Sequence, residues 1–252
     1  MTTRAVYVIV LREFKRFFRQ RGRFVTTLAR PLIWLFIVGA GFTKIIDESE
    51  HGSYMQFILP GIIGMTILFS SVFSTISVVW DREFGFLREM LVAPISRLTI
   101  VVGKLISGTI LSLFQGLALM IVAPFLGIEI GVLQIFWMAI LISLVAFSLT
   151  AFGLFIAARL TSLEGFNVIM NFIVLPMFFL SGALYPIDTL PDPLRWLTHL
   201  NPLTYGVDSF KHVLLKGGET LGPEFSLLTD VLVVSTFALV MTFFSAKAFE
   251  KS

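Results

Sequence analysis

Cysteine is absent from the 252 residues, and charge is scarce: Asp, Glu, Lys and Arg together make up 14% of the chain. The first absence excludes disulfides, thiolate metal sites and cysteine nucleophiles. The second falls well below the roughly 25% of ordinary soluble domains. There is no G-x-x-x-x-G-K-[ST] run, because Gly103-Lys104 has Leu98 where the earlier glycine belongs and Leu105 where the hydroxyl residue belongs. The chain therefore cannot cradle a nucleotide phosphate in that way. H-E-x-x-H, paired carboxylates within an apolar run and a Ser/His/Asp grouping are missing too, so an embedded enzyme has no evident chemistry. Asp188 and Asp192 sit among prolines and read as turn residues.

What is present is apolar. The hydrophobic fraction is 56%, with 27 Phe, and the mean hydropathy is +0.91. One soluble core cannot hide that much apolar surface, whereas charge-free runs of about 20 residues suit a bilayer. Six runs qualify: 24–46, 54–79, about 105–128, 130–158, 165–187 and 225–246. Arg30 and Lys44 snorkel from the ends of the first, and Lys104 stands at the entrance of the third. The expected fold is an all-α integral membrane domain of six spans occupying 1–252 as one unit. The basic lead before the first span is too long for a secretory leader, so a retained helix is expected.

Sorting the charges by loop gives the orientation. The loops that share a side with the termini carry fifteen Lys/Arg against six Asp/Glu. The opposite loops carry four against ten. Positive charge marks the cytoplasmic side, so both termini are expected inside, in a cell inner membrane. The basic pI is thereby a topology signal and not a nucleic-acid footprint, since no reading motif accompanies it.

Three segments are not spans. Over 3–20, Val6, Val10, Phe14, Phe17 and Phe18 recur three and four apart between Arg12, Lys15, Arg16 and Arg19, the pattern of a helix lying on anionic lipid. Over 82–92, Phe84, Leu87, Met90 and Leu91 share one side of a short amphipathic helix that Pro94 stops. Its apolar side needs either the headgroup layer or a partner protein. The stretch 184–224 mixes Pro186, Pro191, Pro193 and Pro202 with Trp196, Leu200, Tyr205 and Phe210, and two short helical pieces there suit an external cap or gate.

The run Gly85-Phe-Leu-Arg-Glu-Met-Leu-Val-Ala-Pro94-Ile-Ser-Arg97, followed by Gly103-Lys104, resembles a signature of the type-2 ABC transporter permeases. Leu180-Ser-Gly-Ala-Leu-Tyr-Pro186, Leu190-Pro191, Leu200-Asn-Pro-Leu-Thr-Tyr205 and Asp208 resemble that family's second signature. Lys211 stands where many relatives have Arg. The resemblance is greatest to drug-resistance and nodulation-factor exporters, with O-antigen and teichoic-acid permeases nearby. It implies a homodimer working with two copies of a separate cytoplasmic ATPase, which binds the Mg-ATP; no cofactor is expected in this chain. It also implies that 3–20 is a connecting helix, 82–92 a coupling helix docked on the ATPase, and the pieces after span five external re-entrant helices.

Candidate residues follow. Arg82, Glu83, Phe84, Leu87, Arg88, Glu89 and Leu91 are assigned to ATPase coupling, the apolar ones as the knob and the charged ones as its register. Ser70 and Ser74 in the second span, and Asn167 and Asn171 in the fifth, are each four apart. They suit helix packing, the dimer interface or the translocation path. Phe178 and Phe179 suit core packing or an apolar plug. Pro186, Trp196, Asn201, Pro202 and Tyr205 are candidates for an external gate. Span centres without charge disfavour proton coupling. The expected role is export of an amphipathic, drug-like or lipid-linked substrate, with membrane lipids as surroundings and no nucleic acid. A lipid-linked glycan exporter is the alternative, and an embedded enzyme or sensor the remaining one.

Overall fold

The computed structural model describes residues 3–19, 21–43, 54–85, 96–215 and 222–250. Leu87, Arg88, Glu89 and Leu91 lie outside the described residues, as does Pro94. Among the described residues the chain is all helical, with no strand. Helix α1 is Thr3–Arg19 and α2 is Arg21–Thr43. Helices α3 (Tyr54–Ser74) and α4 (Ile76–Glu83) follow one another, and α5 (Arg97–Leu119) tightens into a 3-10 segment, Met120–Leu126. Helix α6 is Val132–Ala157; α7 (Leu163–Ile169) and α8 (Leu175–Phe179) flank a π turn, Met170–Val174. Two short helices, α9 (Asp192–Leu200) and α10 (Pro202–Leu214), precede α11 (Leu227–Glu250).

Four stretches are long and apolar enough to cross a membrane: Tyr54–Glu83, Arg97–Leu126, Val132–Ala157 and Leu227–Glu250. Two shorter apolar helices, Thr26–Gly41 and Leu163–Phe179, stand where the first and fifth spans were expected. Helix α3 is the axis of the packing. It is buried along most of its length between α2, α5, α6 and α10, while α11 runs along α6.

Two irregularities have local causes. The break at Thr75 sits inside a hydroxyl run in which Ser74, Thr75 and Ser77 each donate to the carbonyl three residues earlier (2.6, 2.6 and 3.0 Å). Such back-bonding competes with the helical ladder and bends it. In the fifth apolar run Pro176 has no N–H for the carbonyl of Phe172, and the ladder passes through the π turn instead, Leu175 N–H reaching Met170 O.

Glycine lets α3 meet the chain after α8. A Cβ on Gly61 would lie 2.7 Å from Ala183 Cα and closer still to its carbonyl oxygen, a backbone obstacle that cannot swing aside. Gly61→Ala is expected to cost about 1–3 kcal/mol through overpacking, seen as a lowered melting temperature of the detergent-purified protein. Gly41→Ala, where a Cβ meets nothing within 4 Å, is the matched control and should leave the melting temperature unchanged or raised.

Candidate functional site

At the end of the bundle where α4 stops and α5 begins, four helix ends converge. Arg97 donates to the carbonyls of Phe249 and Glu250, which ties the start of α5 to the end of α11. Arg82 donates to Ala158 O and Leu160 O, both at 2.9 Å, and so caps carbonyls just past the end of α6. Gly85, at φ 79°, then takes the left-handed turn that ends α4 without the penalty a side chain would incur.

Helix α1 crosses this junction, docked on α5. Its inward line is Ile9, Glu13 and Phe17, four apart, with Ile9 seated where Gly103 has no Cβ. The apolar residues Val6, Val10 and Phe14 flank that line half-buried, while Phe18 is exposed. The docking side is thus centred on a carboxylate and not on the hydrophobic stripe.

Glu13 is needed there because Lys104 is buried opposite it. Lys104 Nζ donates to Glu13 Oε1 (2.7 Å), Ser77 Oγ (2.7 Å) and Asp81 Oδ2 (3.0 Å), which uses all three of its protons. Arg12 Nη2 closes the figure on Asp81 Oδ2 (2.6 Å) and Glu13 Oε1 (3.2 Å). Two cations and two anions cancel, with Lys104 3%, Asp81 7% and Glu13 8% exposed. Burial by itself would raise the Glu13 carboxyl, but the ammonium of Lys104 and then the guanidinium of Arg12 outweigh it and hold it below the ordinary value. Arg12 is desolvated as well, yet Asp81 and Glu13 raise it further above its ordinary value. Asp81 lies at the exit of the second apolar run and Lys104 at the entrance of the third. Their ion pair therefore closes the base of the connection between α4 and α5.

A second buried group lies around α10. Asp208 accepts from Glu224 N (2.9 and 3.1 Å) and Phe225 N (2.9 Å), clasping the segment that leads into α11. Lys211 lies 3.8 Å from Asp208 and 4.9 Å from the centre of the Phe57 ring. Asp230 is fully buried, and its oxygens meet no hydrogen-bond donor; His212 Nε2 stands 3.7 Å away. Asp208, His212 and Asp230 are close enough to hold a metal ion. However, His212 Nε2 is 2.8 Å from Phe225 O, an oxygen that can only accept, so that nitrogen carries its proton and is not a ligand in this rotamer. Burial raises the Glu224 carboxyl above its ordinary value; Lys211 and the Ile187 N–H oppose this, and Asp208 and Asp188 add to it.

The sequence candidates distribute as follows. Ser70 accepts from Gln115 Nε2 (2.7 Å) and Ser112 Oγ (3.0 Å), and Ser112 also accepts from Ser71 (3.0 Å), a hydroxyl seam between α3 and α5. Asn171 donates to Asn167 O (2.9 Å), and both are exposed beside Phe172, on a run with few neighbours elsewhere in the chain. Phe178 is buried in the core and Phe179 is 40% exposed. Asn201 caps α10 at Leu203 N and donates to Met177 O and Leu180 O, with Pro202 opening the helix. Tyr205 donates to His199 O (2.8 Å), Pro186 leads a 3-10 turn, and Trp196 is 72% exposed. Glu83 and Phe84 are exposed past the capping Arg82.

Sequence reasoning missed the Glu13–Lys104–Asp81–Arg12 cluster and the burial of Asp230. One signal was available: Glu13 is the only acid before the first apolar run and falls midway between Ile9 and Phe17. A carboxylate on an apolar line needs a cation from elsewhere.

The sequence pattern of the ABC-2 type transporter family matches residues 4–215. A protein named as a transport permease, ycf38, from Cyanophora paradoxa is 32% identical over 215 residues, covering 82% of this chain and 72% of that one. The inner membrane transport permease YadH of Escherichia coli (strain K12) is 27% identical over 247 residues, 96% of this chain and 91% of its own. Nodulation protein J of Rhizobium leguminosarum bv. viciae is 28% identical over 195 residues, 75% and 73% respectively.

Removing one member of the ionic cluster should hurt more than removing its charge altogether. Lys104→Met leaves two buried carboxylates to one cation and is expected to cost about 3–5 kcal/mol, measured as a fall in melting temperature. Adding Glu13→Gln to that variant should recover part of the loss. Glu13 binds its proton less readily when docked than when free, so its share of the docking is complete above the ordinary carboxylate range. That share fades as pH falls through the lowered docked value, and amide hydrogen exchange over 3–19 should quicken there.

Proposed function

Since the chain belongs to the ABC-2 type transporter family, we propose that it is the permease subunit of an exporter that draws its energy from a separate ATPase subunit binding Mg-ATP. It is a membrane protein of the transport-permease kind. The two shorter apolar helices complete six spans, both termini face the cytoplasm, and α9 and α10 form the external cap between spans five and six. The cargo is an amphipathic or lipid-linked molecule.

The observation that carries this reading is the ion pair Asp81–Lys104 at the base of the α4–α5 connection, gripped from the side by Arg12 and Glu13 of α1. A force applied to that connection reaches α1, α4 and α5 together. That is what a subunit moved by an external motor requires, because coupling between sites travels through rigid elements with shared contacts. A missing nucleotide loop and a rigid loop base fit one role: receiving motion, not generating it.

A homodimer is supported by the fifth apolar run. Asn167 and Asn171 are exposed there among Val168 and Phe172 (54% and 78% exposed). Amides facing hydrocarbon are costly, and a second copy covering them relieves that cost.

Two measurements test the reading. The tagged permease should capture an ATPase at one-to-one stoichiometry, and in proteoliposomes Leu87→Asp or Glu89→Arg should lower transport-stimulated ATPase activity while the permease stays inserted. Unaltered coupling in both variants would remove 82–92 from the docking role. Because the chain has no cysteine, Asn171→Cys introduces a single thiol; oxidation in membranes should give a dimer on a denaturing gel, and a persistently monomeric band would sink the two-copy arrangement.

A further inference from the structure

Beside the ionic cluster, α1, α2, α3, α4 and α5 line a half-open cavity of about 420 Å³. That volume is within the range of ligand pockets. Its apolar walls are Phe17, Met65, Phe69, Phe73 and Leu111. Its polar wall is a set of hydroxyls from Thr66, Ser70, Ser74, Ser77 and Ser107, with Gln115 at one side. The Gln115 Oε1 is buried and meets no hydrogen-bond donor.

The charge on this cavity is one-sided. Arg16 and Arg30 both line it, and each guanidinium lies over an aromatic ring: Arg16 5.0 Å from the centre of Trp80, Arg30 5.4 Å from that of Phe69. Among the described residues neither has a carboxylate within 4.0 Å. The one carboxylate on the wall, Glu13, is held by Lys104 and Arg12. Stacking on a ring fixes where a guanidinium points and leaves its fork of donors open. Two such forks against an apolar, hydroxyl-lined chamber call for a ligand with an anionic head and an apolar body. Further along α2 from Arg30, Ile33, Phe36 and Ile37 are exposed (55%, 54% and 68%) and suit acyl chains.

We propose that this cavity is the entry site for an anionic amphiphile, whose phosphate or similar headgroup is held between Arg16 and Arg30 while its apolar body lies along α2 and α3. The assignment rests on the permease reading and narrows its cargo: a lipid-like anion taken from the leaflet at the end where the chain termini lie.

The test uses the full chain purified in neutral detergent, with tryptophan fluorescence as readout, because Trp80 is in the cavity wall. The titrants are a short-chain phosphatidic acid, the matching phosphatidylcholine and inorganic phosphate. Phosphatidic acid should give a saturable change, and phosphatidylcholine should bind about tenfold or more weakly. Inorganic phosphate should not displace the lipid. Arg16→Gln and Arg30→Gln should each weaken phosphatidic acid by about tenfold, while Arg30→Lys, which keeps the charge and loses the planar fork, should fall between the parent and Arg30→Gln, and all three variants keep the parent melting temperature. Equal binding of the two lipids, or unaltered binding in both Gln variants, overturns the site. Displacement by inorganic phosphate overturns the amphiphile and leaves a free-anion site. Binding is read on the permease alone, so failure to capture an ATPase would strike the transport reading without altering this result.

Discussion

The structure depends on one interaction that a bilayer makes expensive to leave incomplete: a lysine ammonium, Lys104, buried among Glu13, Asp81 and Ser77. Unpaired, any of these ions would face a desolvation penalty of several kcal/mol. Paired, they fix positions that hydrophobic contact cannot, since apolar side chains slide against one another and against lipid with little preference. The cluster sets where α1 lies on α5, where α4 ends relative to α5, and therefore how the connection between them is held. Arg82 and Arg97 extend the same logic to α6 and α11, each spending its donors on carbonyls at a helix end.

Inside the apolar layer a different kind of bond holds the helices. Burial from water offers little drive between helices already in lipid, so close approach and hydroxyl contacts decide. The Ser70–Gln115–Ser112–Ser71 seam joins α3 to α5, and Gly108 and Gly153 let Ser74 and Thr75 sit against neighbouring backbones. Two of these hydroxyl residues, Ser70 and Ser74, also line the chamber that Arg16 and Arg30 border. Ser70 and Ser74 thus both pack against α5 and face a cavity.

Much of this was legible in the sequence, for identifiable reasons. Charge-free length marks the apolar helices, and three-four spacing of Phe and Val marks α1, because both signals are local. The π turn at Pro176 and the break at Thr75 have local causes too, though which residue yields is settled by packing. The pairing of Glu13 with Lys104 is of another kind. Its partners are 91 residues apart, and nothing in either neighbourhood names the other. Arg82 shows the same distance in sequence: it stands beside the 82–92 amphipathic pattern, while its guanidinium donates to carbonyls that lie 76 and 78 residues away. Asp230 reads as a helix-end residue, and only the folded arrangement of α10 and α11 shows it to be sealed off from solvent.

The spacing of the cluster also dictates an order of events while the chain is being made. Arg12 emerges 69 residues before Asp81, and Glu13 emerges 91 residues before Lys104. Helix α1 therefore has no docking site until the second and third apolar runs have left the ribosome and entered the bilayer. Through that interval Arg12 and Glu13 have no partner among the later helices to hold α1 in place. Closure of the ionic cluster is thus the earliest point in the chain's synthesis at which α1, α4 and α5 can all hold one another.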